Sequence, residues 1–408
     1  MIITSHIKYI GANDHEIDLF EGQYPVPNGM SYNSYLILDD KTAVMDTIDA
    51  HFTEQWLMQI DKLLEGAEPD YLIVQHMEPD HSASIYHFMA KYPRATIIAE
   101  VKAFFMMEQF FGTEYSNRRI IVKDGDTVSL GKHCLHFFTA PMVHWPEVIM
   151  TYESSTGTLF SADAFGKFGA LDIKDNWIDE ARRYYFGIVG KYGVQVQRII
   201  KKLIGPAMPA TTSEIVRICS LHGPVLSENI SYYLNLYNTW ASYEPEVDGI
   251  LIAYTSMYGN TTKAAEYLFE QLQNIHQTLP ESKVKSVSEF PPPNICLIDL
   301  ARSDIFEAVA QTFRYSKLVL AAPTYNATVF PRTREFIQHL LERNYQNRTV
   351  AFIENGSWAP VAARAMKELF AQSPDIHFCE TTVTIRSSMT DENCRQLELL
   401  AKEMRSHR

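Results

Sequence analysis

What this 408-residue chain has little of narrows its class first. Cysteine occurs five times, at Cys134, Cys219, Cys296, Cys379 and Cys394, and no two of them form a Cys-x-x-Cys pair. That excludes rubredoxin-type iron and zinc-ribbon sites, and the scatter fits reduced thiols. Basic charge is in deficit, with 36 Lys and Arg against 49 Asp and Glu for a formal net charge of −13. A nucleic-acid partner needs a basic face, so none is expected. No apolar run approaches the ~20 residues of a membrane span. The start, Met1-Ile-Ile-Thr-Ser-His-Ile-Lys8, lacks the charged head, apolar stretch and cleavage site of a signal peptide. The expectation is a cytoplasmic protein without membrane contact. Internal repeats and low-complexity runs are missing, and the one proline cluster, Pro291–Pro293, is too short to link large domains.

What is present is ordinary globular material, 46% hydrophobic and 21% charged. The length implies two or three domains. The best boundary is the polar stretch Ser242-Tyr-Glu-Pro-Glu-Val-Asp248, which follows an aromatic helical segment, Tyr232 to Trp240, and precedes a strand signal at Gly249–Tyr254. We therefore divide the chain into 1–247 and 248–408.

Before the boundary the spacing predicts strands at 35–38, 43–45, 71–74, 96–99, 136–138, 148–150 and 158–160, with helices at 53–64 and 84–91. Many strands with a few helices between them suggest sheets covered by helices. After it, strands at 250–254, 284–287, 318–320, 350–353 and 381–385 alternate with helices at 262–273, 305–313, after Pro331 and from Ala362. Five strands alternating with helices imply a doubly wound parallel sheet.

The strongest local signal is His76-Met-Glu-Pro-Asp-His81, directly after the strand at 71–74. Its four imidazole and carboxylate side chains, His76, Glu78, Asp80 and His81, are ligand types suited to zinc, iron or manganese. Alternate positions in so short a loop can face different points, so it can serve two ions. It cannot complete two coordination shells alone. His144, Asp163 and His222 each stand where an apolar strand gives way to a loop, and they are candidates for the rest. His133 and His136, on one strand, read as structural.

In the second half, Thr255-Ser256-Met257-Tyr258-Gly259-Asn260-Thr261 lies between a strand and a helix. Hydroxyl groups, backbone N–H groups and the helix N-terminus there make a phosphate cradle. It is neither a Walker A loop nor a dinucleotide Gly-x-Gly-x-x-Gly. The loops Pro323-Thr324-Tyr325-Asn326-Ala327 and Asn355-Gly356-Ser357-Trp358 follow later strands, at the carboxyl ends where such sheets bind ligands. Tyr325 and Trp358 could pack on a planar ring.

The order His-x-Glu-x-Asp-His, His, Asp, His resembles the metallo-β-lactamase superfamily. Within it, the whole chain is similar to the flavodiiron proteins (A-type flavoproteins). The resemblance implies an α/β chain with an N-terminal metallo-β-lactamase-like αββα sandwich and a C-terminal flavodoxin-like, five-stranded doubly wound sheet. It implies one FMN, contacted by the three loops just named, and two irons per chain. His76, Glu78 and His144 would hold one iron, Asp80, His81 and His222 the other, with Asp163 between them. The implied activity is reduction of dioxygen to water, of nitric oxide to nitrous oxide, or both. The chain shows no appended rubredoxin or flavin reductase sequence, so a separate electron donor such as rubredoxin with its reductase is expected, acting on a head-to-tail homodimer or a dimer of dimers. Tyr185 and Trp145 are candidates for proton supply. Glu21 stands where some relatives carry a histidine near the substrate pocket, which leaves the gas preference open. A zinc hydrolase fused to a flavodoxin-like module is the rival reading; Glu78, where such hydrolases usually have His, counts against it. A flavoprotein carrier with a merely structural first half is a second rival, opposed by the cost of burying unpaired carboxylates.

Overall fold

The computed structural model describes residues 2–205, 214–277 (side chains to 274) and 294–406. It divides into two compact units, Met1–Ala241 and Ser242–Arg408.

The first unit is built on two sheets. Six strands pair in the order Ile7–Tyr9, Tyr35–Ile37, Ala43–Met45, Tyr71–Val74, Thr96–Ala99 and Arg119–Ile121. Five more pair in the order Thr127–Ser129, Cys134–Thr139, Ile149–Glu153, Thr158–Phe160 and Arg217–Cys219. Their apolar faces share one core. Ile7, Tyr35, Met45, Ile73 and Ile98 come from the first sheet, and Leu135, Phe137, Ile149, Phe160 and Cys219 from the second. Helices complete the αββα layering. Thr53–Leu64 buries Trp56, Ile60 and Leu64, one residue per turn, and ends where Glu65 takes a left-handed φ of 51°. Val101–Phe111 starts on Glu100, whose side chain accepts from Lys102 N, and stops at Gly112 with φ 69°.

The two layers are also tied by polar groups. Asp39, in the turn before Ala43–Met45, accepts from the backbone N of His133 at 2.6 Å and from its ring Nδ1 at 2.8 Å. Gln75 O accepts from Ile149 N at 3.1 Å, at the end where the metal-ligand types gather. His133 is thus structural, though it stands just before the strand Cys134–Thr139 rather than on it.

The second unit is a parallel sheet in the order Asn294–Asp299, Val247–Tyr254, Tyr315–Tyr325, Arg348–Asn355 and Ile376–Ile385. That is the 2-1-3-4-5 flavodoxin order, with its switch point at Val247–Tyr254. The expected strand at 284–287 and Pro291–Pro293 lie outside the described residues; the second strand that the structure shows is Asn294–Asp299, whose apolar character is only Ile295, Cys296, Leu297 and Ile298. The last helix, Asp391–Ser406, packs Leu397, Leu400, Ala401 and Met404 onto the sheet core with Ile252, Val319, Ile353 and Val383. Among the described residues, no helix is long and apolar enough to cross a membrane.

Candidate metal centre and cofactor cavity

All seven ligand candidates of the first unit converge. His76, Glu78, His144 and Asp163 form one buried group whose ligating atoms lie within 4.8 Å of one another, and Asp80, His81 and His222 form a second. Four loops bring them together. Residues 75–78 leave the strand Tyr71–Val74, and Pro79 at the first position of the short helix Pro79–Ser82 turns Asp80 and His81 inward. His144 follows Cys134–Thr139, Asp163 follows Thr158–Phe160 and His222 follows Arg217–Cys219.

The loops are pinned from behind. The buried Asp46, which sequence reading missed, accepts from Gln75 N at 2.7 Å and from Gln75 Nε2 at 2.8 Å, anchoring the segment that carries His76. Asn33 Nδ2 donates to Ser220 O at 2.9 Å and to Gly223 O at 2.7 Å, on either side of His222. Gly223 sits at φ 80°, and a Cβ there would meet Lys167 Cγ at 2.8 Å. Lys167 itself is buried and paired with Asp175 at 2.6 Å. Asp46 was invisible to motif reading because a lone Asp after a strand reads as a turn residue.

Asp163 faces both groups. Its Oδ2 lies 2.9 Å from His144 Nε2 and 3.4 Å from His76 Nε2, while Oδ1 lies 3.4 Å from His81 Nε2 and 3.7 Å from His222 Nε2. Glu78 Oε2 is 3.0 Å from His144 Nε2, and Asp80 Oδ2 is 3.2 Å from both His81 and His222 Nε2.

The donor set fits metal. His222 Nδ1 lies 2.7 Å from Ser31 O, and a carbonyl only accepts, so Nδ1 carries the proton and Nε2 presents a lone pair. That Nε2 faces His81 Nε2 at 2.9 Å, and His76 Nε2 faces His144 Nε2 at 3.2 Å. Ring nitrogens aimed at each other need a cation or a proton between them. Both oxygens of Asp80 and Oδ1 of Asp163 are buried without a hydrogen-bond donor, which is costly unless a cation takes them. The acid–base balance says the same. Burial opposes charge throughout, yet His144 and His76 hold Glu78 down at about 2, and His76 and the other imidazoles hold Asp163 well below the carboxylate range. Burial also disfavours charged imidazole, but Asp80 and Asp163 lift His81 to about 10, and Asp163 and Glu78 lift His144 to about 9. The carboxylates demand positive charge at the point where the rings meet.

Around this cluster lie aromatic rings. Trp145 stands edge-on to His76 at 5.3 Å. Tyr184, not its neighbour Tyr185, faces the ligands, 5.5 Å from His222, with its buried hydroxyl lacking a hydrogen-bond partner. Burial, and then the charges of Asp163 and Glu78, push the Tyr184 hydroxyl well above the usual phenol range. Tyr185 packs instead on Tyr237 and Trp240 at 5.1 and 5.2 Å. Adjacent helical positions face different ways, so sequence alone could not choose between them. Glu21 occupies an exposed turn at φ 48°, accepting from Gln23 Nε2 at 3.1 Å. The residue is exposed as a whole, but partial loss of water around its carboxyl head, followed by the charge of Glu78, pushes that carboxyl up to about 7.

The second unit has a cavity of about 370 Å³ at the carboxyl ends of its strands. Ser256, Met257, Tyr258, Asn260, Thr261, Pro323, Thr324, Asn326, Ala327, Asn355, Gly356, Ser357 and Trp358 line it, joined by Ala359 and Ser387. Of the other expected contacts, Thr255 is buried behind the wall with its Oγ1 2.8 Å from Thr333 Oγ1. Gly259 shapes the first loop from φ 89°, its N–H donating to Ser256 Oγ at 3.1 Å. Tyr325 stands outside the wall, its ring 5.6 Å from Phe330. Ser387 was missed although it follows the fifth strand, where the strand-end rule that found the other loops applies equally. It is held by a two-way bond with Asn355, N to Oδ1 at 3.1 Å and Nδ2 to O at 3.0 Å, and its Oγ lies 2.7 Å from Ser357 Oγ. Asn326, Ala327, Ala359 and Ser387 all have left-handed φ, between 42° and 70°. Such strain clusters at ligand sites. Among the described residues no cationic side chain lines the cavity, so an anionic group there would rest on hydroxyls, backbone N–H groups and the N-terminus of the helix Asn260–Gln277.

Comparisons with known proteins follow this geometry. The model of the ODP family beta lactamase matches residues 30–192. The anaerobic nitric oxide reductase flavorubredoxin of Salmonella arizonae is 28% identical over 88% of this chain and 72% of its own length. The rubredoxin oxygen:oxidoreductase of Desulfovibrio gigas superposes with a TM-score of 0.87 at 23% identity, over 99% of this chain and 97% of that one. The chain has the flavodiiron fold. The flavodiiron protein from Giardia intestinalis has the same fold, with a TM-score of 0.83 at 22% identity over 99% of this chain and 96% of that one. The flavodiiron fold thus accounts for both units in their order, the αββα sandwich first and the flavodoxin-like sheet second.

Proposed function

We propose that this chain is a flavodiiron protein, an oxidoreductase that passes electrons from FMN, bound in the C-terminal cavity, to two irons held by the N-terminal cluster, where dioxygen is reduced to water, nitric oxide to nitrous oxide, or both. The observation that carries the reading is the division of seven buried N and O ligands into two groups with Asp163 turned to each. When bound, FMN supplies two-electron uptake with one-electron release, and the iron pair supplies a place where a diatomic gas takes up those electrons.

The chain's own residues bind, orient and shield. His76, Glu78 and His144 would hold one iron and Asp80, His81 and His222 the other, with Asp163 shared. Three carboxylates, Glu78, Asp80 and Asp163, make a hard, anionic set that suits iron better than the zinc of a hydrolase. Tyr184 keeps its proton at Oη in the dry wall beside His222. In the second unit, Ser256, Asn260 and Thr261 would take the FMN phosphate, and Thr324, Asn355 and Trp358 would border the ring. The domains we assign are 1–247 and 248–408. A separate electron donor such as rubredoxin with its reductase, a head-to-tail homodimer or dimer of dimers, and a cytoplasmic location complete the proposal.

The test is metal and flavin content of protein made with ample iron and purified without oxygen. One iron for each ligand group and one FMN per chain supports the reading. Stoichiometric zinc points to the hydrolase, and FMN without metal to an electron carrier.

A further inference from the structure

One buried carboxylate beside the cluster is not among the ligands. Glu147 lies in the loop between Cys134–Thr139 and Ile149–Glu153 and is 1% exposed. Its Oε1 accepts from Met77 N at 2.8 Å and lies 2.9 Å from His76 Nδ1, while Oε2 is buried without a partner. The backbone N–H of Met77 can only donate, so Oε1 is an acceptor and the ring proton of His76 sits on Nδ1. His76 therefore turns a bare Nε2 toward Glu78, Asp163 and His144.

Among the described residues, no carboxylate bonds the far ring nitrogen of either histidine in the second group. His222 Nδ1 donates to a neutral carbonyl, Ser31 O, and His81 Nδ1 is buried with no partner. Among the described residues, the two groups therefore differ in that only the first has a carboxylate bonded to the far nitrogen of one of its rings. A carboxylate behind an imidazole fixes its orientation and makes it the stronger donor to a cation.

We infer that Glu147 is a positioning residue that fixes the His76 ring and adds negative charge behind it, so that the His76, Glu78 and His144 group is the tighter metal subsite and fills first. The inference rests on the proposed metal centre.

The test is anaerobic titration of the metal-stripped, FMN-loaded full chain with Co(II), followed by calorimetry and by its visible spectrum. The native chain should give two resolved steps. Asp80→Asn should abolish the weaker step and Glu78→Gln the tighter one. Glu147→Gln keeps an acceptor for Met77 N and His76 Nδ1 but removes the charge; it should weaken the tighter step roughly 10–100-fold and leave the other in place. Unchanged FMN content and melting of that variant would show that the fold is intact. Two unchanged steps in Glu147→Gln, or loss confined to the weaker step, overturns the inference. Should the variant not fold, the reverse assignment in Asp80→Asn and Glu78→Gln overturns it equally. A native chain that takes up no Co(II) and no iron instead overturns the metal-centre reading, and this inference with it.

Discussion

Asp163 points one carboxylate oxygen at each histidine pair, Oδ2 at 2.9 Å from His144 Nε2 and Oδ1 at 3.4 Å from His81 Nε2. Replacing it by Ala should take a shared ligand from both groups at once. Metal content should fall to half or less, with FMN content unchanged because the cavity of the second unit does not use this residue. Elemental analysis with acid-released flavin checks both halves of the expectation. Full metal retention would rule out the shared role.

Trp358 is 81% exposed at the rim of the C-terminal cavity. So large a ring in open solvent suggests a contact still to be made. Trp358→Ala should weaken FMN binding about fivefold, as expected for the loss of about 1 kcal/mol of ring stacking. Fluorescence titration of the stripped protein with FMN measures it, and an unchanged affinity and spectrum would reject the contact. Metal content should not move.

The Asp39–His133 tie should show itself in acid. Burial opposes charge on Asp39, but the His133 backbone N–H and ring outweigh it and hold the carboxyl at about 2. The unfolded carboxyl titrates near 4, about two units higher. Stabilisation from this pair is therefore present above about pH 4 and lost as the pH falls through about 2. Asp39→Asn should remove about 1 kcal/mol, discounted for a site close to the surface, and lower the melting temperature by roughly 2–4 °C at pH 7. Melting curves at pH 7 and pH 3 decide it: the gap between native and variant should narrow at the lower pH. A gap that widens there contradicts the pairing.

Gly223 has two reasons to be glycine, a φ of 80° and the approach of Lys167 Cγ. Gly223→Ala should cost on the order of 1–3 kcal/mol through strain and overpacking. Because Gly223 follows His222, the loss should appear as lower metal occupancy as well as lower melting temperature. Normal occupancy with only a lower melting temperature would confine the effect to stability.

Much of the centre could be read from sequence because its ligands are dense. Four of the seven fall in His76–His81, and the others follow strands with plain apolar patterns. The strand Ile149–Glu153 and the helix Thr53–Leu64 were likewise legible within a residue or a few. What escaped was held by distant or weakly patterned contacts. The edge strands Ile7–Tyr9 and Arg119–Ile121 are only three residues long, too short for periodicity to register. Helix Gly193–Ile204 begins with glycine and two β-branched residues in its first turns, which blunts its signal even though Val196, Ile199, Ile200 and Leu203 are buried on one face. Asp46, Glu147 and Tyr184 take their meaning only from which side chains fold up against them. Ser387 is a different case, since it needed no tertiary knowledge and only a fifth application of the strand-end rule.

The ligands come from four loops spread along the chain, and the pair that closes the second group, His81 and His222, is 141 residues apart. That group is not complete until the strand Arg217–Cys219 has joined the second sheet and brought in His222. During synthesis, a ribosome must have released the chain well past His222 before an ion can be enclosed, and any earlier metal would meet only the His76–His81 loop. Closure of the second ligand group is therefore a late event in the folding of the first unit, and a metal held there would report that the preceding folding was complete.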